Sequence, residues 1–149
     1  MTAFTCNYGL DDAERLGAAI GTALLPGDVV LLSGDLGAGT TTLARAMLKA
    51  RGLAGEAPSP TFAIVQPYAP PEVDLAVAHV DLYRIEDQDE LIELGLDDYL
   101  YDGALLIEWP ERLGGEGWPG ALLLRISGDG DARVLTAVVP PAWGARWPL

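Results

Sequence analysis

Two rhythms of apolar positions alternate along this chain. In "LDDAERLGAAIGTALL" apolar residues recur every third or fourth position, with acidic residues in the first turn, and the spacing predicts a helix over about Asp11 to Leu25. "DVVLLSG" is an unbroken apolar run between Pro26-Gly27 and Gly34, the signature of a buried strand. The helical rhythm returns in "TTTLARAMLKARGL" and stops at Gly52, a suitable terminal residue. "TFAIVQPY" and "LAVAHVDLY" are strand-like, with a turn at Pro70-Pro71 between them. "DQDELIELGLDDYL" is helical in one or two pieces, jointed at "ELG". "GALLIEW" is a further buried strand, ended by Pro110. "ALLLRIS", "GDGD" and "ARVLTAVV" form a strand, a turn and a second strand, which predicts a β-hairpin. Strands separated by helices give the α/β class, and the closing hairpin adds an antiparallel edge, so the sheet is mixed.

Composition narrows the picture. At 149 residues, half of them hydrophobic, the chain is expected to form a single domain (1–149) with a proper core. No run of 18 or more apolar residues occurs, so no membrane-spanning helix is expected, and the N-terminal stretch lacks the pattern of a signal peptide. Cys6, the single cysteine, excludes an internal disulfide and fits a reducing cytoplasm. The formal net charge is −13, from nine Lys+Arg against 22 Asp+Glu. Such a surface repels a phosphate backbone, so any nucleic acid is expected to be held by a partner protein.

The candidate chemistry lies in "SGDLGAGTTTL". A phosphate-binding loop between a strand and a helix follows G-x-x-x-x-G-K-[ST]. Gly34 and Gly39 stand at that spacing, and Thr41 falls on the Ser/Thr position, where its hydroxyl can meet Mg²⁺. Gly34, Gly37 and Gly39 allow the backbone to turn sharply, and the N–H groups of the turn and helix start then converge on an anion. The bland alternative is a glycine turn with a threonine-started helix and no ligand. Asp81 and Glu108 end the strands "LAVAHVD" and "ALLIE". Ligands of open α/β sheets bind beyond carboxyl ends of strands, so both carboxylates belong near the loop. There they offer hard oxygens for Mg²⁺ and an acceptor for an attacking water.

"GDLGAGTTTL", "SPTFAIVQPY", "HVDLYRIEDQDELIELGLDDYL" and "LIEWPERL" resemble, in order and spacing, the bacterial TsaE (YjeE) family, ATPases of tRNA threonylcarbamoyladenosine biosynthesis. The resemblance runs from about Gly34 to Leu113. It implies a P-loop NTPase-like three-layer sandwich with a mixed, mostly parallel sheet and antiparallel edge strands. It also implies a cytoplasmic ATPase that binds ATP/ADP and Mg²⁺ and works with TsaB and TsaD, meeting tRNA only through that complex. Residue by residue, Gly34, Asp35, Leu36, Gly37, Ala38, Gly39, Thr41 and Thr42 match the phosphate loop. Thr41 and Glu108 match the Mg²⁺ ligands, and Asp81 matches an acidic residue of hydrolysis. Ser59, Pro60 and Thr61 match a loop approaching the γ-phosphate, with Thr61 in a catalytic position. Trp109 matches a tryptophan beside the nucleotide, although it equally suits packing at the sheet end. Arg133 aligns loosely with an arginine near the base, and Asp11 or its neighbours with the other wall. His79 reads as a core histidine.

One departure falls on the lysine position, which holds Thr40. A hydrogen bond involving a charged group is worth about 1.5–3 kcal/mol, so its loss predicts nucleotide binding weaker by roughly 10- to 100-fold. Loss of a group that stabilises developing charge predicts hydrolysis slower by about 10²–10³-fold. Lys49 cannot replace it: nine residues on, it lies about 13 Å along the helix axis. Two functions compete: an impaired ATPase of the tRNA-modifying complex, and a non-hydrolysing nucleotide-binding or scaffold module docking on the same partners. A small-molecule kinase would need a lid for which no insertion exists.

Overall fold

The computed structural model describes residues 2–35, 38–55, 64–114, 118–129 and 131–149. Among the described residues seven strands form one sheet: β1 (Thr2–Tyr8), β2 (Val29–Gly34), β3 (Val65–Tyr68), β4 (Ala76–Asp81), β5 (Gly103–Glu108), β6 (Leu122–Asp129) and β7 (Ala132–Val139), in spatial order β1-β7-β6-β2-β5-β4-β3. The ladders β6-β2, β2-β5 and β5-β4 are parallel, while β1-β7, β7-β6 and β4-β3 are antiparallel. The sheet is thus parallel in its centre and antiparallel toward both edges, as expected from a βαβ pattern closed by a hairpin.

Helices α1 (Leu10–Thr22) and α2 (Thr40–Ala50) cover one face. There Leu16, Ile20, Leu43 and Met47 pack on Val30, Leu32 and Leu106. The short helix α3 (Gln88–Glu93) and the 3₁₀ turns Leu96–Tyr101 and Pro110–Leu113 cover the other. There Leu91, Leu96 and Leu113 pack on Val29, Leu105 and Ile107. Adjacent residues of β2 and β5 therefore serve opposite cores, which is why both strands read as unbroken apolar runs. The result is the three-layer arrangement. α1 and α2 approach closely because Gly17 and Gly21 face α2: a Cβ at Gly21 would lie 2.6 Å from the Met47 carbonyl oxygen.

The predicted elements are present, with shifts at their ends. α1 stops at Thr22 rather than Leu25, and α2 at Ala50, two residues before Gly52, whose φ is +108°. The "ELG" joint is real: α3 ends at Glu93, and Gly95 (φ +59°) starts the 3₁₀ turn. Of the predicted strand 61–68, residues 61–63 lie outside the described residues and β3 begins at Val65. The strand missed by sequence is β1. It pairs with β7 along its whole length, Thr2 opposite Val139 and Tyr8 opposite Arg133. Its alternation of Phe4, Cys6 and Tyr8 with exposed Thr5 and Asn7 is the period of a half-buried strand.

Candidate active site at the head of α2

β2, β4 and β5 end side by side, and the chain leaves β2 through Gly34 to start α2 at Thr40. A Cβ on Gly34 would lie 2.8 Å from the Ile126 carbonyl oxygen and 3.0 Å from the Ala38 Cβ, so only glycine fits there. Gly39 precedes the helix at φ +103°, a left-handed conformation that other residues adopt at a cost. The Ala38 N–H donates to the Asp35 carbonyl (2.8 Å), and the Leu43 N–H to the Gly39 carbonyl (3.1 Å). The chain thus wraps a tight turn onto a helix N-terminus, the geometry that receives anions.

Beside this turn, alternation along β4 and β5 puts His79, Asp81 and Glu108 on the α1/α2 face of the sheet, and register sets Asp81 opposite Glu108. Glu108 is 2% exposed and draws the site together. Its Oε1 accepts from the Thr40 hydroxyl (2.7 Å) and the Thr41 hydroxyl (2.6 Å). Its Oε2 lies 2.7 Å from His79 Nε2. Since a carboxylate only accepts, Nε2 is the donor. His79 is fully buried, and its Nδ1 has no hydrogen-bond partner.

Burial pushes the Glu108 carboxyl up, but the hydrogen bond and charge of His79 and the hydroxyls of Thr41 and Thr40 outweigh it, leaving the group below its usual value. Asp81 goes the other way. Burial raises it, helped by the neighbouring Glu108, while the Tyr83 N–H, which donates to Oδ1 at 2.9 Å, His79 and Arg84 offset only part. Two adjacent carboxylates are therefore driven apart, one firmly ionised and one more readily protonated, which suits a metal or hydroxyl partner beside a proton acceptor.

On the other side of the sheet end, Trp109 takes φ +60°, uncommon for a residue other than glycine, and packs on Tyr83 with ring centroids 4.9 Å apart. With Ser33, Asp35, Glu111, Arg125 and Ser127 it lines a cavity of about 610 Å³ adjoining the turn. Ser33 donates to the Glu111 carboxylate there.

A family model described as "Threonylcarbamoyl adenosine biosynthesis protein TsaE" matches residues 9–134. The chain belongs to the TsaE family. It is 40% identical over 111 residues to the tRNA threonylcarbamoyladenosine biosynthesis protein TsaE of Mycobacterium tuberculosis, covering 70% of this chain and 66% of that protein, just under two thirds of its length. It is 38% identical over 138 residues to the TsaE of Streptomyces coelicolor, covering 90% of this chain and 93% of that one. The crystal structure of YdiB from Bacillus subtilis superposes with a TM-score of 0.76 at 25% identity, covering 98% of this chain and 93% of that one. The fold is the P-loop type, and the family model and both relatives carry names of threonylcarbamoyladenosine biosynthesis.

Against this TsaE fold, Asp35, Ala38, Gly39, Thr40, Thr41, Asp81 and Glu108 lie around one turn, while Leu36, Gly37, Ser59, Pro60 and Thr61 lie outside the described residues. Thr42 is exposed on α2 and lines a separate groove with Glu14 and Lys49. Lys49 is turned away as expected, paired with Glu14 at 2.5 Å. Asp11 is exposed on α1, and among the described residues no contact ties it to the loop. The group fastening the start of α1 is Asp131, which accepts from the Leu10 N–H at 2.9 Å. Arg133 reaches the turn itself, its Nη1 donating to the Ala38 carbonyl. His79 is the core histidine that the sequence suggests, fully buried; its partner Glu108 carries no spacing signal in the sequence and is brought to it only by the β4-β5 pairing.

Proposed function

We propose that this TsaE-family chain binds Mg-ATP and Mg-ADP at the head of α2, and that it hydrolyses ATP slowly, as a cytoplasmic accessory subunit of the tRNA threonylcarbamoyladenosine complex. Its partners in this reading are TsaB and TsaD, with tRNA held by the complex rather than by this acidic chain. The observation carrying it is the Thr41 hydroxyl, at the first turn of a helix behind a glycine turn, held 2.6 Å from a buried carboxylate at a parallel strand end. Among the described residues no cluster of His, Cys, Asp or Glu forms a metal cage. Mg²⁺ is bound through a few protein oxygens plus substrate phosphates. Thr41 and Glu108 would hold it, and the ion would neutralise phosphate charge. Turn N–H groups bind and orient the phosphates, Glu108 fixes the Thr41 hydroxyl, and Asp81 accepts the proton of the attacking water.

One observation favours the second reading, a nucleotide-binding module without hydrolysis. The Thr40 hydroxyl donates to Glu108, so this position brings no charge to a phosphate chain. Phosphate release from Mg-ATP, measured with and without TsaB and TsaD, separates the two. The ATPase reading expects turnover in the complex, lost in Asp81→Asn and Thr41→Val. Tight Mg-ATP binding with no turnover under any of these conditions refutes it and leaves the module.

A further inference from the structure

The nucleotide reading puts a polyanion beside two carboxylates. Asp81 and Glu108 stand on its β4/β5 flank, the chain carries a net charge of −13, and the lysine position holds a neutral hydroxyl turned to Glu108. On the opposite flank lies Arg133 of β7. Strand register holds its backbone, opposite Tyr8 of β1 and Gly128 of β6. Its side chain crosses to the turn, where Nη1 donates to the Ala38 carbonyl and would lie 2.8 Å from a Cβ at Gly39. The glycine thus leaves the space into which this cation fits. Sheet and turn together place a guanidinium beside Gly39, one residue before Thr40.

We propose that Arg133 supplies to bound phosphate oxygens the positive charge that a lysine at position 40 would supply, reaching them from the β7 side. The inference rests on the nucleotide reading above and assigns Arg133 to the phosphates rather than to the base. A planar guanidinium suits this task, since its fork of N–H donors matches phosphate geometry and its charge is permanent.

The test is calorimetric titration of Mg-ATP and Mg-ADP into the parent chain, Arg133→Gln, Arg133→Lys, Thr40→Lys and the double variant Thr40→Lys/Arg133→Gln. Circular dichroism melts establish first that each is folded. Arg133→Gln keeps an amide donor for the Ala38 carbonyl but loses the charge; it is expected to weaken Mg-ATP binding about 10-fold or more. Arg133→Lys, which keeps the charge, is expected to lose less and serves if the glutamine variant does not fold. With Thr40→Lys present, the same Arg133→Gln change is expected to cost at most a few-fold, because the lysine already neutralises the phosphates. Equal fold-losses in both backgrounds overturn the proposal and return Arg133 to the base. Unchanged binding in Arg133→Gln overturns it while leaving the nucleotide site standing, as does a parent that binds nothing beside a Thr40→Lys chain that binds. Absence of binding in all folded chains overturns the nucleotide reading, and this inference with it.

Discussion

Thr40 and Thr41 donate to the same oxygen, and replacing each by valine tests whether Glu108 organises the site. Valine keeps the branched shape and removes only the hydroxyl. Glu108 is 2% exposed, so water cannot replace a lost donor. Each single change removes one bond to a charged acceptor, worth about 1.5–3 kcal/mol, but leaves Oε1 one hydroxyl and Oε2 the imidazole. The expected cost is at the lower end, about 1–2 kcal/mol each. The double change strips Oε1 of both hydroxyls and leaves a buried charged oxygen without them. It should exceed the sum of the singles by about 0.5–3 kcal/mol, the range for groups sharing a partner. The assay is urea unfolding at pH 7, at unchanged m-value. The sign with pH also follows. Glu108 sits below its unfolded value of about 4.5, so its contribution is present above that pH and is lost as pH falls through the depressed folded value. The valine penalties should therefore shrink on acidification below about pH 4.5. Additive penalties, or penalties unchanged in acid, would refute the view that one ionised carboxylate binds the two hydroxyls. Function separates them: Thr41→Val should abolish the Mg²⁺ dependence of nucleotide binding, whereas Thr40→Val should leave it.

Asp81→Asn should stabilise the fold at neutral pH, because Asp81 is raised by burial and its folded state prefers the proton. That preference favours folding below the unfolded value of 3.8 and is lost as pH rises through the raised folded value, so the gain, read as a higher Tm, should vanish in strong acid while turnover is lost. Gly21→Ala should cost about 1–3 kcal/mol in urea unfolding, since its Cβ would meet the Met47 carbonyl oxygen at 2.6 Å and must push α1 from α2. Arg146→Ala should cost about 1–3 kcal/mol on the same scale. The guanidinium bonds both oxygens of partly buried Asp28 (2.8 and 3.1 Å) and lies 4.5 Å from the Trp143 ring centre. A loss below about 0.5 kcal/mol would place Arg146 among ordinary surface arginines.

The sequence alone determined what is local. Hydrophobic periodicity acts over one or two turns, so it marked both long helices, the buried central strands and the closing hairpin. Glycine spacing before a threonine-started helix marked the turn from β2 into α2, because backbone freedom and helix ends are properties of neighbouring residues. The order of strands, and what meets at their ends, was decided only by tertiary structure. β1 was overlooked because its alternation is weak until β7 supplies the other half of the ladder. Glu108 lies 67 residues from Thr41 and 29 from His79, and Arg133 lies 95 from Ala38. No propensity acts over such separations. Parallel pairing of β4, β2 and β5 turns those distances into hydrogen bonds, and pairing of β7 with β1 and β6 carries Arg133 to the turn.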